Sequence, residues 1–370
     1  MKRYSVFLIV TFIVFSEGCA PPLKNDSESQ PEKIISLLHK VNHHFQAGEG
    51  IQVDRNWKRG TYYTGLMAFY KVTGDTAIFE QIHNWGAKHG WRTGTEWIYP
   101  ANRLTCSQTY LELYILIENP HIIKRTKSYM DKRIRKNKNA FDAGWFYVDA
   151  LYVGTPAYVM MTRATGDSGY AAYGHRMFRE VTDSLFNRDA GLYYRDLKAK
   201  KEQSPNGEEL FWSRGNGWVF ASIPRIIDNL SNDDPAREWY VKLFKRLAES
   251  IYSKQSPDGL WRSSLADLEA YPMPESSGSA FFTYGLAWGI NSGILEKERF
   301  LPVVLKSWNA LSDCVDDNGK VTWGQKVARG PGRIKKSGSG EFVAGAFLLA
   351  GSEMLRLIQS EAALSVGVKE

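Results

Sequence analysis

Six short segments of one kind, spread along the chain, constrain its fold more than any other feature. Each joins small residues and aromatics in an apolar run, the composition of a helix buried on all sides. They occupy 61–67 (TYYTGLM), 108–114 (QTYLELY), 150–156 (ALYVGTP), 217–222 (GWVFAS), 281–287 (FFTYGLA) and 342–348 (FVAGAFL). Their starts lie 47, 42, 67, 64 and 61 residues apart. Each interval has room for two helices and their loops.

Between these segments lie amphipathic stretches such as 173–185 and 237–252, charged on one face and apolar on the other. Thr73-Gly74-Asp75 and Thr165-Gly166-Asp167 are each suited to close one helix and open the next. The stretches 189–193 (DAGLY), 258–261 (DGLW) and 317–320 (DNGK) read as turns followed by short extended pieces. No sustained alternating pattern competes for a sheet. Six buried helices, each with an amphipathic partner, close into a toroid with the apolar helices inside. The expectation is an all-α single domain, an (α/α)6 barrel, over residues 32–362, with a tail at 363–370.

If the inner helices of such a ring begin at one end, the residues ahead of them crowd around a single funnel. Trp57 and Arg59 lead into the first, Asn102, Arg103 and Gln108 into the second, and Tyr147 with Asp149 into the third. Trp212, Arg214 and Trp218 belong to the fourth, Glu275, Ser276 and Ser277 to the fifth, and Lys335, Lys336, Ser337 and Ser339 to the sixth. The stretch 210–218 (LFWSRGNGW) is poor helix-interior material, because glycine costs helix stability and tryptophan is bulky. It suits a sugar: flat rings to lie against a pyranose, and a guanidinium that can grip a carboxylate in two places. Asp149 sits in an aromatic, largely uncharged stretch (YVDALY, 147–152), where desolvation would let it hold a proton near neutral pH. Plainer readings stay open: Asp149 as a helix N-cap, Trp212 and Trp218 as core, Arg214 in a structural ion pair.

Composition sets wider limits. The chain has 370 residues, 43% hydrophobic and 24% charged, which fits one large globular domain or two small ones. Aromatic residues reach 13%, which suits carbohydrate contact and a large helical core alike. The net charge of +7 would attract an anionic ligand. The densest basic run, 132–138 (KRIRKNK), reads as a solvated helix end, so no nucleic-acid partner is expected. Cys106 and Cys314 have no metal-like spacing and read as buried free thiols, and the histidines lack ligand spacing, so no metal or cofactor is expected. At the N-terminus Lys2 and Arg3 precede an apolar run at 6–15, too short to span a membrane. Cys19 follows, then a polar tether at 20–31. This reads as an export signal at 1–19 with lipidation at Cys19, and places the protein in the periplasm or anchored to a membrane by that lipid alone.

The chain resembles glycoside hydrolase family 105, the unsaturated glucuronyl and rhamnogalacturonyl hydrolases, relatives of family 88. The likeness is carried by 147–152 with Pro156, by Thr165-Gly166-Asp167 and Tyr194-Arg195-Asp196, and most specifically by 211–218 (FWSRGNGW). The stretches 275–290 (ESSGSAFFTYGLAWGI) and 345–353 (GAFLLAGSE) add to it, in order along nearly the whole chain. The resemblance implies a hydrolase for oligosaccharides left by polysaccharide lyases, acting on a 4,5-unsaturated uronic acid at the non-reducing end. Such enzymes hydrate the vinyl ether: an acid protonates C4, water adds at C5, and the product falls apart.

The similarity puts that acid, and then the base, on Asp149, which should be partly desolvated and free of a close cation. It makes Asn102, Gln108, Tyr147, Trp57, Trp212, Arg214 and Trp218 the substrate-binding set, with Arg214 on the uronate carboxylate. One position departs from the family pattern. Family members often carry an aspartate where the alignment puts Asn102, so a second carboxylate would have to come from Glu275 or Glu341. Two other classes remain: another sugar enzyme on the same toroid, either an epimerase with paired histidines or an inverting hydrolase with carboxylates about 6.5–9.5 Å apart, and a glycan-binding lipoprotein without turnover.

Overall fold

The computed structural model describes residues 30–49 and 54–367. In chain order its helices are α1 (Gln30–Glu49), α2 (Trp57–Thr73), α3 (Thr76–Lys88), α4 (Thr105–Ile117), α5 (Pro120–Lys136), α6 (Asp149–Val153) and α7 (Thr155–Thr165). They continue with α8 (Ser168–Leu185), α9 (Ser213–Ile227), α10 (Arg237–Tyr252), α11 (Ser276–Asn291), α12 (Lys297–Asp313) and α13 (Glu341–Gly367). A two-residue antiparallel ladder, Phe186–Asn187 with Leu192–Tyr193, is the small exception. The six apolar segments all fall on a closed ring. Helix α2 packs on α4, α4 on α7, α6 and α7 on α9, α9 on α11, α11 on α13, and α13 returns to α2. Outside it α1 lies on α13, α3 on α2, α5 on α4, α8 on α7, α10 on α9 and α12 on α11. This is an (α/α)6 barrel.

Local signals set the helix ends. Gly74 and Gly166 take the left-handed conformation (φ 69° and 76°) that a helix stop requires, and Asp75 and Asp167 cap the helices that follow. The basic run at 132–138 is the last turn of α5 and the residues beyond it, where cations complement the helix dipole. Gly65 of α2 and Gly345 of α13 lie where the ring closes. A Cβ on Gly65 would sit 2.2 Å from the Gly345 carbonyl oxygen, and one on Gly345 would sit 2.3 Å from that of Thr61.

Three expectations shift. The third inner helix is two pieces, α6 and α7, because Pro156 has no N–H to continue the ladder. Helix α1 opens at Gln30, inside the expected tether, and α13 runs to Gly367, well into the expected tail. The signal segment and Cys19 lie outside the described residues. Cys106 and Cys314 are buried and free. Among the described residues no helix is long and apolar enough to cross a membrane.

The barrel is not wholly apolar inside. Arg225 of α9 donates to Gln108 Oε1 at 2.7 Å and to Glu112 Oε2 at 2.9 Å. Lys71 donates to Glu112 Oε1 at 2.6 Å, and Gln108 Nε2 donates to the Tyr152 carbonyl at 2.8 Å. Burial opposes ionisation of Glu112, but Arg225 and Lys71 outweigh it and hold the carboxyl below its ordinary value. Inner helices α2, α4, α6 and α9 are thereby cross-linked through polar side chains in the lumen.

Candidate active site

The entrances of α2, α6 and α9 and the turn ahead of α4 border a cavity of about 140 Å³. Trp57 is the first residue of α2 and Asn102 lies in the 3-10 turn Pro100–Leu104 ahead of α4. Asp149 is the first residue of α6, and Trp212 stands at the N-cap of α9. With Tyr147, Arg214 and Trp218 these line the cavity, so seven of the eight residues expected in the site meet there. Gln108 does not. Its amide is fully engaged by Arg225 and the Tyr152 carbonyl in the lumen, so it braces the barrel instead of facing the cavity.

Asp149 is the sole carboxylate among the residues lining this cavity. It does not cap a helix: the cap position of α6 is Val148, with no side-chain cap bond. Its Oδ2 is buried and accepts no hydrogen bond. Burial pushes its pKa above the ordinary carboxylate value, against the opposing pull of Arg195, then of its own backbone N–H and of Arg214.

The expectation that no cation stands close to Asp149 is corrected. Val148 N–H donates to the Arg195 carbonyl at 3.0 Å, and Tyr147 bridges to Asp196. This pairing brings Arg195 Nε to 3.5 Å from Asp149 Oδ2. The gap is too long for a good hydrogen bond, and Arg195 Nε is itself buried without a hydrogen-bond partner. The other side of the guanidinium is held by Asp196 at 2.5 Å and by the faces of Tyr99 and Tyr147. Asn102 is also in the lining, and its Oδ1 accepts from the Tyr147 hydroxyl at 2.6 Å. A neutral amide therefore stands where a second acid was sought.

Arg214 is fully buried, and its donors go mainly to the protein. It donates to the Gln325 carbonyl at 2.8 Å, the Lys326 carbonyl at 2.9 Å and Ser277 Oγ at 3.2 Å. Its plane lies between the rings of Trp212 and Phe342. Burial lowers its pKa to about 10, so it stays a cation at neutral pH. Trp212 Nε1 donates to Gln325 Oε1 at 2.7 Å. Trp218 packs on Phe281 and Tyr152 and meets Trp57 edge to face, forming an aromatic floor.

Glu275 caps α11 through Ser277 N–H and Gly278 N–H and accepts from Gln325 N–H and the Ser277 hydroxyl, so its oxygens are committed to these donors. Glu341 faces Arg59 at 3.7 Å, outside the cavity lining. Arg103 turns to Thr93 and the Tyr129 ring. Tyr99, Arg195, Val327, Ala328 and Arg329 complete the wall. Of these, Arg195 carried a sequence signal, the Tyr194-Arg195-Asp196 motif, whereas 327–329 carried none. Among the described residues no histidine lines the cavity, so the paired bases of an epimerase do not meet there.

Comparison with known proteins agrees with this geometry. The model of Glycosyl Hydrolase Family 88 matches residues 33–358. An unsaturated 3S-rhamnoglycuronyl hydrolase from Alteromonas sp. (strain LOR) is 36% identical over 318 residues, 81% of this chain and 77% of that protein. A protein of the same name from Formosa agariphila is 32% identical over 352 residues, 90% of this chain and 92% of its own. The solved structure of a glycosyl hydrolase family 88 protein from Bacteroides vulgatus is 32% identical, with a TM-score of 0.84 over 89% of this chain and 100% of that one. A fold, a cavity built at its helix entrances and matches over most of the chain agree: this protein belongs to glycosyl hydrolase family 88.

Proposed function

We propose that Asp149 supplies the proton that starts release of a 4,5-unsaturated uronic acid from the non-reducing end of an oligosaccharide. The protein is a glycoside hydrolase acting on unsaturated uronyl oligosaccharides. The observation that carries the role of Asp149 is a lone carboxyl in the cavity, desolvated, with one oxygen unpartnered. Neutral Asp149 protonates C4 of the vinyl ether while water adds at C5, and the resulting carboxylate takes the proton from that water. The hemiketal at C5 opens to a ketone, and the hemiacetal left at C1 expels the remaining sugar. One carboxyl serves both steps, so the absence of a second acid at Asn102 is compatible with this chemistry. A two-carboxylate inverting hydrolase finds no partner for Asp149 among the cavity residues.

Trp57, Trp212 and Trp218 supply apolar faces for the ring, and Asn102 and Tyr147 a polar wall. We read the sugar next to the uronate as rhamnose, which the names of the two relatives support. The narrower grouping with family 105 rests on the 211–218 motif. The test is loss of the ultraviolet absorbance of the conjugated C4=C5 uronate from lyase-generated disaccharides with rhamnose or another sugar at the reducing end. Loss with the rhamnose disaccharide is the expected result. No loss with any of them, in folded protein, overturns the reading.

Arg195 acts on Asp149 through charge. Activity requires neutral Asp149 and so falls as pH rises through its pKa. Arg195→Gln removes the cation that opposes the burial effect, so the alkaline limb of kcat should move up by about one to three pH units. Arg195→Lys should move it less. An unmoved limb in the glutamine variant would separate Arg195 from the acid.

We also read 1–19 as an export signal with a lipid on Cys19, which puts the enzyme in the periplasm or on a membrane anchor. Labelled palmitate should enter the wild-type protein and not Cys19→Ser. Equal labelling of both would remove the assignment.

A further inference from the structure

We propose that a ring-lined groove running from the cavity mouth past Tyr99 to Phe141 and Leu197 binds the distal sugars of a longer oligosaccharide, so that the enzyme favours longer chains over disaccharides. The proposal rests on the uronyl hydrolase reading and extends it to chain length. Residues 329–331 line two grooves at the mouth. One, of about 870 Å³, is basic, with Lys320, Lys326, Arg333 and Lys335 in its lining and no acid. The other, of about 400 Å³, shares Tyr99, Arg195 and Arg329 with the cavity around Asp149. A chain whose terminal uronate lies in the cavity can therefore pass straight into this second groove.

The second groove is built for an uncharged ring. Tyr99, Phe146 and Tyr271 give it three aromatic side chains, flat apolar faces against which a pyranose can lie. Its charges pair locally, Arg195 with Asp196 at 2.5 Å and Lys198 with Glu202 at 3.5 Å. Polar groups for sugar hydroxyls are thus present with little net charge. Past Phe146 the groove meets a cleft of about 350 Å³ lined also by Phe141, Trp145 and Leu197. Phe141 is 76% exposed and Leu197 52%. Trp97 and Ile98, 91% and 72% exposed, stand on the adjoining loop, whose Pro100 lies so near Gly144 that a Cβ there would come within 2.9 Å of it. Large apolar side chains gathered in water beside a catalytic cavity mark a surface that a ligand covers. Continuity with the cavity makes that ligand the substrate's own chain.

The platform is held in place. Tyr99 meets Tyr147 edge to face at 4.7 Å and Phe146 at 5.8 Å, and Phe146 meets Tyr147 at 5.5 Å. Tyr147 is in turn bonded to Asn102 in the cavity. Groove and cavity thus share one packed set of rings, and a sugar that lies on it orders few side chains.

The test compares unsaturated di-, tetra- and hexasaccharides released by one lyase from one polysaccharide. Wild type should favour the tetrasaccharide over the disaccharide by about tenfold or more in kcat/KM, through KM. The variant F141S/L197S changes two exposed side chains outside the cavity lining, so its constants for the disaccharide should match wild type. Its advantage for the longer chains should fall toward parity. Equal kcat/KM for all lengths in wild type, or an undiminished advantage in the folded variant, overturns the proposal. Sedimentation velocity tests the other occupant of such a surface. A wild-type dimer that F141S/L197S dissociates, with the length preference intact, assigns the patch to a second copy of the chain and overturns the proposal. If no saccharide is hydrolysed the uronyl hydrolase reading fails, and calorimetry with a saturated tetrasaccharide then tests the groove by itself. Binding lost in F141S/L197S upholds the groove, and no binding to wild type removes it.

Discussion

Asp149→Asn is expected to lower kcat on an unsaturated disaccharide by about 10²–10⁴-fold, the usual worth of a positioned general acid. Asparagine has nearly the same shape, so the cavity and its aromatic floor should persist and KM should change only a few-fold. What the amide lacks is a proton it can release to C4. The carboxyl can hold that proton because burial raises its pKa, although Arg195 pulls the other way. A melting temperature equal to wild type would exclude unfolding as the cause, and Asp149 Oδ2 makes no hydrogen bond whose loss could unfold the protein. Near-wild-type kcat in this variant would take Asp149 out of the chemistry.

Glu112→Ala is expected to cost about 3–5 kcal/mol of stability, because it strands a buried cation. Glu112 accepts from Arg225 at 2.9 Å and from Lys71 at 2.6 Å, and both Glu112 and Arg225 are 5% exposed. Without the carboxylate the Arg225 guanidinium keeps, among the described residues, only Gln108 as a side-chain hydrogen-bond partner. Glu112→Gln retains an acceptor oxygen and should lose less. The pH dependence follows from the direction of the shift. The folded pKa of Glu112 lies below its ordinary value, so its contribution is complete above that ordinary value and is lost as pH falls through the folded one. Urea denaturation at several pH values should therefore show a shallower acid limb in the glutamine variant. A loss under about 1 kcal/mol in the alanine variant would mean that the barrel tolerates a lone cation there, contrary to the cost of unpaired buried charge.

These two residues show how unevenly the molecule could be read from its sequence. Asp149 stood out because a lone acid in an aromatic stretch ahead of a buried helix is locally odd. Glu112 did not: in QTYLELY it looks like one polar residue in an apolar run, and its partners Lys71 and Arg225 lie on other helices of the ring. Gln108 was misplaced for the same reason. Its position ahead of an inner helix suggested the funnel, yet it lies within α4 and its side chain reaches into the lumen.

The amino-acid sequence by itself determined the inner and outer sets of helices, the helix ends at 73–75 and 165–167 and, through the family resemblance, seven residues of the cavity, but not the break in the third inner helix. The helices and those ends follow from periodicity, from glycines that can take positive φ and from acids that can cap, forces that act within a turn or two of chain. Only the tertiary structure decided which cation stands over Asp149, what Arg214 holds, and where the scattered basic residues of 320–340 converge. Those outcomes depend on the distance between groups far apart in sequence and on how deeply both are buried, and neither exists until α13 closes the ring against α2.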